Sequence, residues 1–237
     1  MTDKKIKMVA LDLDGTTLND FGEISQRTID TFRHAIEQGV HIVICTGRTF
    51  QSLPSQLFEI EGLEYVVTSN GAKITRLPEK VLVYENNIGG SAVIEIMELL
   101  KPAGYSLEVF VEGAAYIAEE EYEEYRTKGS AYRDVDYILH TRKPVAGFFD
   151  FIYSQREHIE NINISFPKME DRGILMKMLE PVKKVTLTSS FVHNIEIGGE
   201  TTSKAEALRY LLGKLNLEPT QLMPAGDSLN DLEMIKL

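Results

Sequence analysis

Asp12-Leu13-Asp14-Gly15-Thr16 places two carboxylates two residues apart at the end of an apolar run that begins near Ile6. If that run is a strand, its alternation points Asp12 and Asp14 the same way. Gly15 then lets the backbone turn off and leave both at a rim. With aspartate pKa values near ~3.9 both are ionised at neutral pH, and such a pair invites a divalent cation. Magnesium suits a few carboxylate oxygens together with water and a substrate phosphate, whereas zinc wants His or Cys clusters, and the histidines here are scattered. Taken alone, the pair also fits a loop that caps the next helix. A calcium loop running from Asp12 to Glu23 fails because Thr17 stands where glycine is needed and a strand, not a helix, precedes it.

Three further segments carry polar groups at the ends of apolar runs. Thr46-Gly47-Arg48 offers a hydroxyl and backbone N–H groups that can cradle phosphate oxygens, although an ordinary strand-to-helix turn reads the same way. Lys204, beside Ser203 at a helix start, could fix a positive charge; by itself it reads as a surface lysine. Gly226-Asp227-Ser228-Leu229-Asn230-Asp231 supplies one more carboxylate for a metal and an amide for a phosphate, and Asp227 or Ser228 equally suits an N-cap.

The elements that must position these groups follow from periodicity. Residues 6–13 and 41–45 read as buried strands, joined by a helix capped at Ser25 that ends near Gly39, with Ile29, Phe32 and Ile36 on one face. Together they predict a right-handed βαβ unit. A short helical region after Pro54 and a strand at 65–68, closed by Ser69-Asn70-Gly71, extend it. From 82 to 192 the pattern changes: a helix near 91–101, an alternating strand near 105–110, a Glu- and Tyr-rich helix, and strands near 161–166 and 184–188 read as a separate α+β domain. Its acidic run from Glu119 to Glu124 reads as a solvated helix face rather than a metal site. The aromatic residues Tyr116, Tyr122, Phe148 and Phe149 read as packing more than recognition. The first style returns with Leu208, Leu211, Leu212 and Leu215 on one helical stripe and a strand at 221–225. The sequence therefore predicts an α/β fold: a Rossmann-like parallel-sheet core formed by residues 1–81 and 193–237, with an α+β cap, 82–192, inserted.

Composition excludes several classes. With 43% hydrophobic and 26% charged residues in 237, the chain should fold throughout. A net charge of −11 argues against a broad basic surface for nucleic acid. Lys4, Lys5 and Lys7 precede an apolar run too short for a signal-peptide core, and no stretch approaches the ~20 apolar residues of a membrane span. Cys45, inside Val43-Ile44-Cys45, reads as a reduced core thiol, and a lone cysteine allows no internal disulfide. A cytoplasmic location follows as an expectation, with a small phosphorylated molecule as partner and neither nucleic acid nor membrane.

Taken together, the order of the four segments, their places at strand ends and their residue types resemble the haloacid dehalogenase superfamily. The resemblance covers essentially the whole chain and is closest to the Cof-like phosphatases with a large inserted cap. It implies a magnesium-dependent phosphatase acting on a small phosphorylated metabolite, a sugar phosphate or similar. On this resemblance Asp12 is the nucleophile, and Asp14 is general acid and base and lends its backbone carbonyl to Mg2+. Asp12 and Asp227 complete the metal site. Thr46, Gly47, Lys204 and Asn230 meet the phosphate, and Asp231 stands behind them. No firm role carries over to Arg48 or Asn70. The cap is expected to close over the cleft. A phosphotransferase or mutase using the same phospho-aspartate is the nearest alternative, and a non-catalytic phosphometabolite-binding protein another. After Asp231 only a short run precedes Leu237, whereas Cof-like relatives continue with a further strand and helix; the strand at 221–225 is therefore expected at an open sheet edge.

Overall fold

The computed structural model describes residues 5–237, so Lys4 and the first residues of the expected core domain lie outside it. By contacts the chain divides into two units: the described residues through Arg48 with Leu53–Glu85 and Ser203–Leu237, and Thr49–Ser52 with Asn86–Thr202.

In the first unit the short apolar runs become β1 (Met8–Leu11), β2 (His41–Cys45) and β3 (Tyr65–Thr68), which are mutually parallel, with Met8 opposite His41 and Val43 opposite Tyr65. Strand β1 is shorter than the run that announced it. Between β1 and β2, α1 (Gln26–Glu37) starts where Ser25 Oγ accepts the Thr28 N–H at 3.1 Å. That cap satisfies one of the donors a helix start leaves open. The helix ends before Gly39, whose φ of +75° is a left-handed conformation that costs glycine little. Its Ile29 and Phe32 are buried. An antiparallel pair, β4 (Lys73–Arg76) and β5 (Val81–Glu85), then extends the sheet.

In the second unit the chain runs through α2 (Gly90–Leu100), β6 (Ser106–Val111), β7 (Ala114–Ala118), α3 (Glu119–Lys128), α4 (Val135–Thr141) and β8 (Arg142–Val145). It continues with α5 (Phe148–Ser154), β9 (Ile159–Ser165), α6 (Glu170–Leu179), β10 (Val185–Thr188) and β11 (Asn194–Gly199). The strands form one sheet in the order β10-β11-β9-β6-β7-β8, antiparallel except for β7 with β8. Strand pairing keeps Glu85 opposite Lys73 in the first sheet and Asn194 opposite Ser165 in the second. One face of this sheet is apolar, and Leu107, Val109, Ile162, Ile164, Ile195 and Ile197 join a core with residues of α2, α5 and α6. Phe148 is buried there, with Tyr116 and Phe149 against it, while Tyr122 packs near Ile138 and donates its hydroxyl to the Leu139 carbonyl at 2.9 Å. These aromatic rings therefore pack. Glu119, Glu120, Glu123 and Glu124 are exposed, as a solvated face requires.

The same sheet also buries Glu108, fully enclosed, which accepts from Arg133 at 2.6 Å, Arg142 at 2.9 Å and Asn163 at 3.0 Å. Burial works to raise its pKa, but the two guanidinium groups outweigh that and hold it at about 2. A depressed carboxylate stabilises the fold above its unfolded value, 4.5, and the contribution is lost as pH falls toward 2. Glu108→Gln leaves two buried cations without a counter-charge, which costs about 3–5 kcal/mol at pH 7. Urea unfolding of both proteins should show that gap, and it should narrow as pH drops from 5 toward ~2.5 because wild type alone loses the pairing. A gap independent of pH would contradict the assignment.

The chain then returns to the first unit through α7 (Lys204–Lys214), β12 (Leu222–Ala225) and α8 (Leu232–Ile235). Ser203 Oγ accepts the Glu206 N–H at 3.1 Å, and Ala205, Ala207, Leu208, Leu211 and Leu212 pack with Met8, Ala10, Val43, Cys45 and Val67. Strand β12 lies parallel to β1 at the edge of the order β12-β1-β2-β3-β4-β5. All four parallel strands consequently end on one side, where open α/β sheets carry their ligand sites.

Candidate active site

Asp12 follows β1 and is buried, its N–H bonded to the Ala225 carbonyl of β12 at 3.0 Å. Thr17 Oγ1 donates to the Asp12 carbonyl and so closes the turn that follows the strand. Lys204, the first residue of α7, is fully buried and donates to Asp12 Oδ1 and to Asp231 Oδ1, each at 2.6 Å. A lysine with no exposure is rare unless paired, and here two carboxylates hold it. Burial lowers its pKa, but Asp12 and Asp231 outweigh that and keep it above the ordinary lysine value. For Asp12, burial is the stronger influence: it pushes the carboxyl up to about 6 against the pull of Lys204, with Asp231 and Asp14 adding to the rise.

Asp231 Oδ2 accepts the N–H groups of Asp227 at 3.1 Å and Ser228 at 3.0 Å, and Ser228 and Asp231 form a reciprocal capping box. One carboxylate thus ties Lys204 to the loop after β12. The approach is close: a side chain at Gly226 would meet Asp231 Cγ at 2.3 Å, and one at Gly15 would meet Asp227 Oδ2 at 2.4 Å. Gly15 has φ of +77°, a left-handed backbone that favours glycine there.

Asp14 is exposed, and Arg48 grips its carboxylate through Nε at 2.9 Å and a terminal nitrogen at 2.6 Å. Thr46 is fully buried; its Oγ1 accepts the Arg48 N–H at 3.1 Å, which leaves its own hydroxyl hydrogen to donate. Gly47 lies beneath two carboxamides, since a side chain there would sit 3.0 Å from Asn70 Oδ1 and 3.7 Å from Asn230 Nδ2. The residues singled out by sequence after β1, β2, β12 and at the start of α7 are therefore brought together in one unit. Sequence reasoning assigned nothing to Arg48 or Asn70. Ser69-Asn70-Gly71, three residues suited to left-handed turns, was the available signal for the latter.

Asp12, Asp227 and Asp231 each place one carboxylate oxygen within 4.8 Å of the others, the one grouping among the described residues close enough to share a metal ion. This all-oxygen set fits a hard cation such as magnesium. Asp231 already spends both oxygens on Lys204 and the loop N–H groups, whereas Asp227 is exposed and its carboxylate has no hydrogen bond among the described residues. Cys45 takes no part: burial pushes its thiol up to about 12, so it stays protonated.

The carboxyl edge of the parallel sheet thus gathers a buried Asp–Lys–Asp triad, an Asp–Arg clamp and a hydroxyl-bearing loop, at the edge where open α/β sheets carry their ligand sites. The haloacid dehalogenase-like hydrolase family matches residues 9–237, and the chain belongs to it. Phosphatase YwpJ of Bacillus subtilis is 30% identical across 98% of this chain and 86% of its own length. The 5-amino-6-(5-phospho-D-ribitylamino)uracil phosphatase YcsE of the same organism is 27% identical across 99% and 82%. A solved haloacid dehalogenase-like hydrolase from B. subtilis superposes with a TM-score of 0.80 at 27% identity, covering 98% of this chain and 86% of that one. The chain is thus a phosphatase of the haloacid dehalogenase type. No helix among the described residues is long and apolar enough to cross a membrane.

Proposed function

We propose that this phosphatase hydrolyses a small phosphorylated metabolite, a sugar phosphate or similar, with magnesium and through a phospho-aspartate on Asp12. The observation that carries the reading is the buried Lys204 ammonium fixed 2.6 Å from Asp12, a permanent positive charge beside the proposed nucleophile. Asp12 forms a bond from its carboxylate oxygen to phosphorus as the bond to the leaving oxygen breaks, and Asp14 gives that oxygen its proton. Asp14 then takes a proton from the water that attacks the phospho-aspartate, releasing phosphate and restoring both carboxyl groups. Asp14 must share or leave the Arg48 clamp to do this, so Arg48 sets its direction. Lys204, the Thr46 hydroxyl, the Gly47 N–H and Asn230 meet the phosphoryl oxygens. Asp12, Asp227 and the Asp14 carbonyl would hold magnesium, which when bound offsets charge on those oxygens. The ribityl phosphate in the name of one relative supports a polyol or sugar phosphate as the substrate class.

Phosphorylated sugars, polyols, nucleotides and cofactors assayed for inorganic phosphate with and without magnesium test this. Release is expected from a subset, abolished by excess chelator and restored by magnesium. Asp227→Asn should raise the magnesium concentration for half-maximal rate by on the order of 10–100-fold. Full activity in excess chelator, or an isomerised sugar phosphate without free phosphate, would overturn the proposal.

A further inference from the structure

The turn after β3 lies against three of the loops described above, and nothing in the proposed chemistry uses it. Ser69, Asn70 and Gly71 have φ of 50°, 56° and 99°, all left-handed, and two of the three are not glycine. Such backbone persists only where its surroundings hold it. The Ser69 N–H donates to the Arg48 carbonyl at 2.9 Å and the Asn70 N–H to the Thr46 carbonyl at 3.1 Å, so the turn is pinned to the Thr46-Gly47-Arg48 loop. Gly71 lies so close to α7 that a side chain there would meet the Ser203 carbonyl oxygen at 2.1 Å, beside Lys204. From this base Asn70 Oδ1 accepts Asn230 Nδ2 at 3.0 Å, across 160 residues of sequence. Asn70 is 4% exposed, yet its Nδ2 has no partner among the described residues, and neither has the buried Asn230 Oδ1. Buried carboxamide atoms are nearly always bonded, so the Asn70 Nδ2 donor is suited to an entering acceptor and the Asn230 Oδ1 to a donor such as water.

We propose that Asn70 is a positioning residue for phosphoryl recognition: it holds one hydrogen of Asn230 Nδ2 above Gly47, so that the other faces a phosphoryl oxygen. A carboxamide nitrogen carries two hydrogens, and fixing one fixes the direction of the second. A side chain at Gly47 would press on this bond, 3.0 Å from Asn70 Oδ1. The inference rests on the phosphatase reading, in which Asn230 meets phosphate.

The test is a double-mutant cycle. Asn70→Gly keeps the left-handed turn and removes only the carboxamide, and Asn230→Ala removes its partner. Each is expected to lower kcat/KM and to weaken inhibition by inorganic phosphate by about 10–100-fold, as a small misplacement of a site group does. The double variant should be no worse than the poorer single one, because the two residues act as one device. Thermal midpoints without phosphate should match wild type, while stabilisation by added phosphate is lost in all three variants. Effects that multiply in the double variant, or a wild-type Asn70→Gly, would overturn the inference while Asp12-dependent phosphate release left the phosphatase reading standing. If wild type releases no phosphate from any substrate, that reading fails instead. Should Asn70→Gly not fold, Asn70→Ser, whose hydroxyl is too short to reach Asn230, completes the same cycle.

Discussion

Asp12→Asn is expected to lower turnover by roughly 10⁴-fold or more, the scale seen when a nucleophile is deleted. The fold should be retained. The substitution exchanges one oxygen for nitrogen at constant volume, and the remaining oxygen can still accept from Lys204, which today lies 2.6 Å away. What disappears is the atom that would bond to phosphorus. The change also removes a carboxylate that burial pushes up to about 6, so the site loses a group held ionised at neutral pH against its surroundings. Phosphate and its beryllium fluoride mimic should behave differently: phosphate still binds, whereas the fluoride, which mimics an acyl phosphate on Asp12, loses its attachment point. Steady-state rates, calorimetry with both anions and thermal midpoints together read the effect. Turnover within about 100-fold of wild type in a clean preparation would leave no room for a phospho-aspartate.

The groups that the sequence disclosed are those whose setting is local. Asp12, Thr46 and Asp227 each follow a short apolar strand, and Lys204 follows a Ser203 cap. A run of apolar residues, a turn and a polar group are legible within a dozen positions. The β4–β5 pair was not: β4 carries Lys73 and Arg76, with Lys73 buried by its partner Glu85, so no apolar alternation marks it. Strand β8, Arg142-Lys143-Pro144-Val145, is polar and contains a proline, and only its edge position beside β7 makes it a strand. In the site, the hydrogen-bonded pairs join distant segments: Arg48 with Asp14 across 34 residues, Lys204 with Asp12 across 192, Asn230 with Asn70 across 160. Periodicity carries no information about such pairs. The resemblance to known phosphatases supplied the Lys204 assignment, and the fold alone disclosed Asn70.

Lys204→Met is expected to damage both activity and stability, in a way whose pH dependence identifies the cause. Methionine can follow the lysine stem through its enclosed path, but Asp12 and Asp231 then face one another without the ammonium between them. Breaking a buried pair from one side costs about 3–5 kcal/mol. The folded pKa of Lys204 is raised, so its contribution is fully present below the unfolded lysine value of ~10.4 and is lost only as pH rises past the folded one; wild type holds it throughout the neutral range. In the variant the chief influence lowering the Asp12 pKa is gone, so that carboxyl rises beyond about 6. A folded state that binds protons more readily than the unfolded one gains stability as pH falls. The deficit of the variant should therefore be largest near pH 8 and shrink toward ~5, opposite to the pattern expected for a simple cavity, which is insensitive to pH. Turnover should fall by about 10²–10³-fold or more from the lost charge, with the acid limb of its pH profile moved upward as Asp12 takes up its proton. Lys204→Arg should not restore it, because a planar guanidinium is broader than the enclosed space an ammonium fills. Urea unfolding at pH 5 and 8, with kcat across the same range, decides the matter: a variant as stable as wild type at pH 8 would mean that Lys204 fills space beside Asp12 and nothing more.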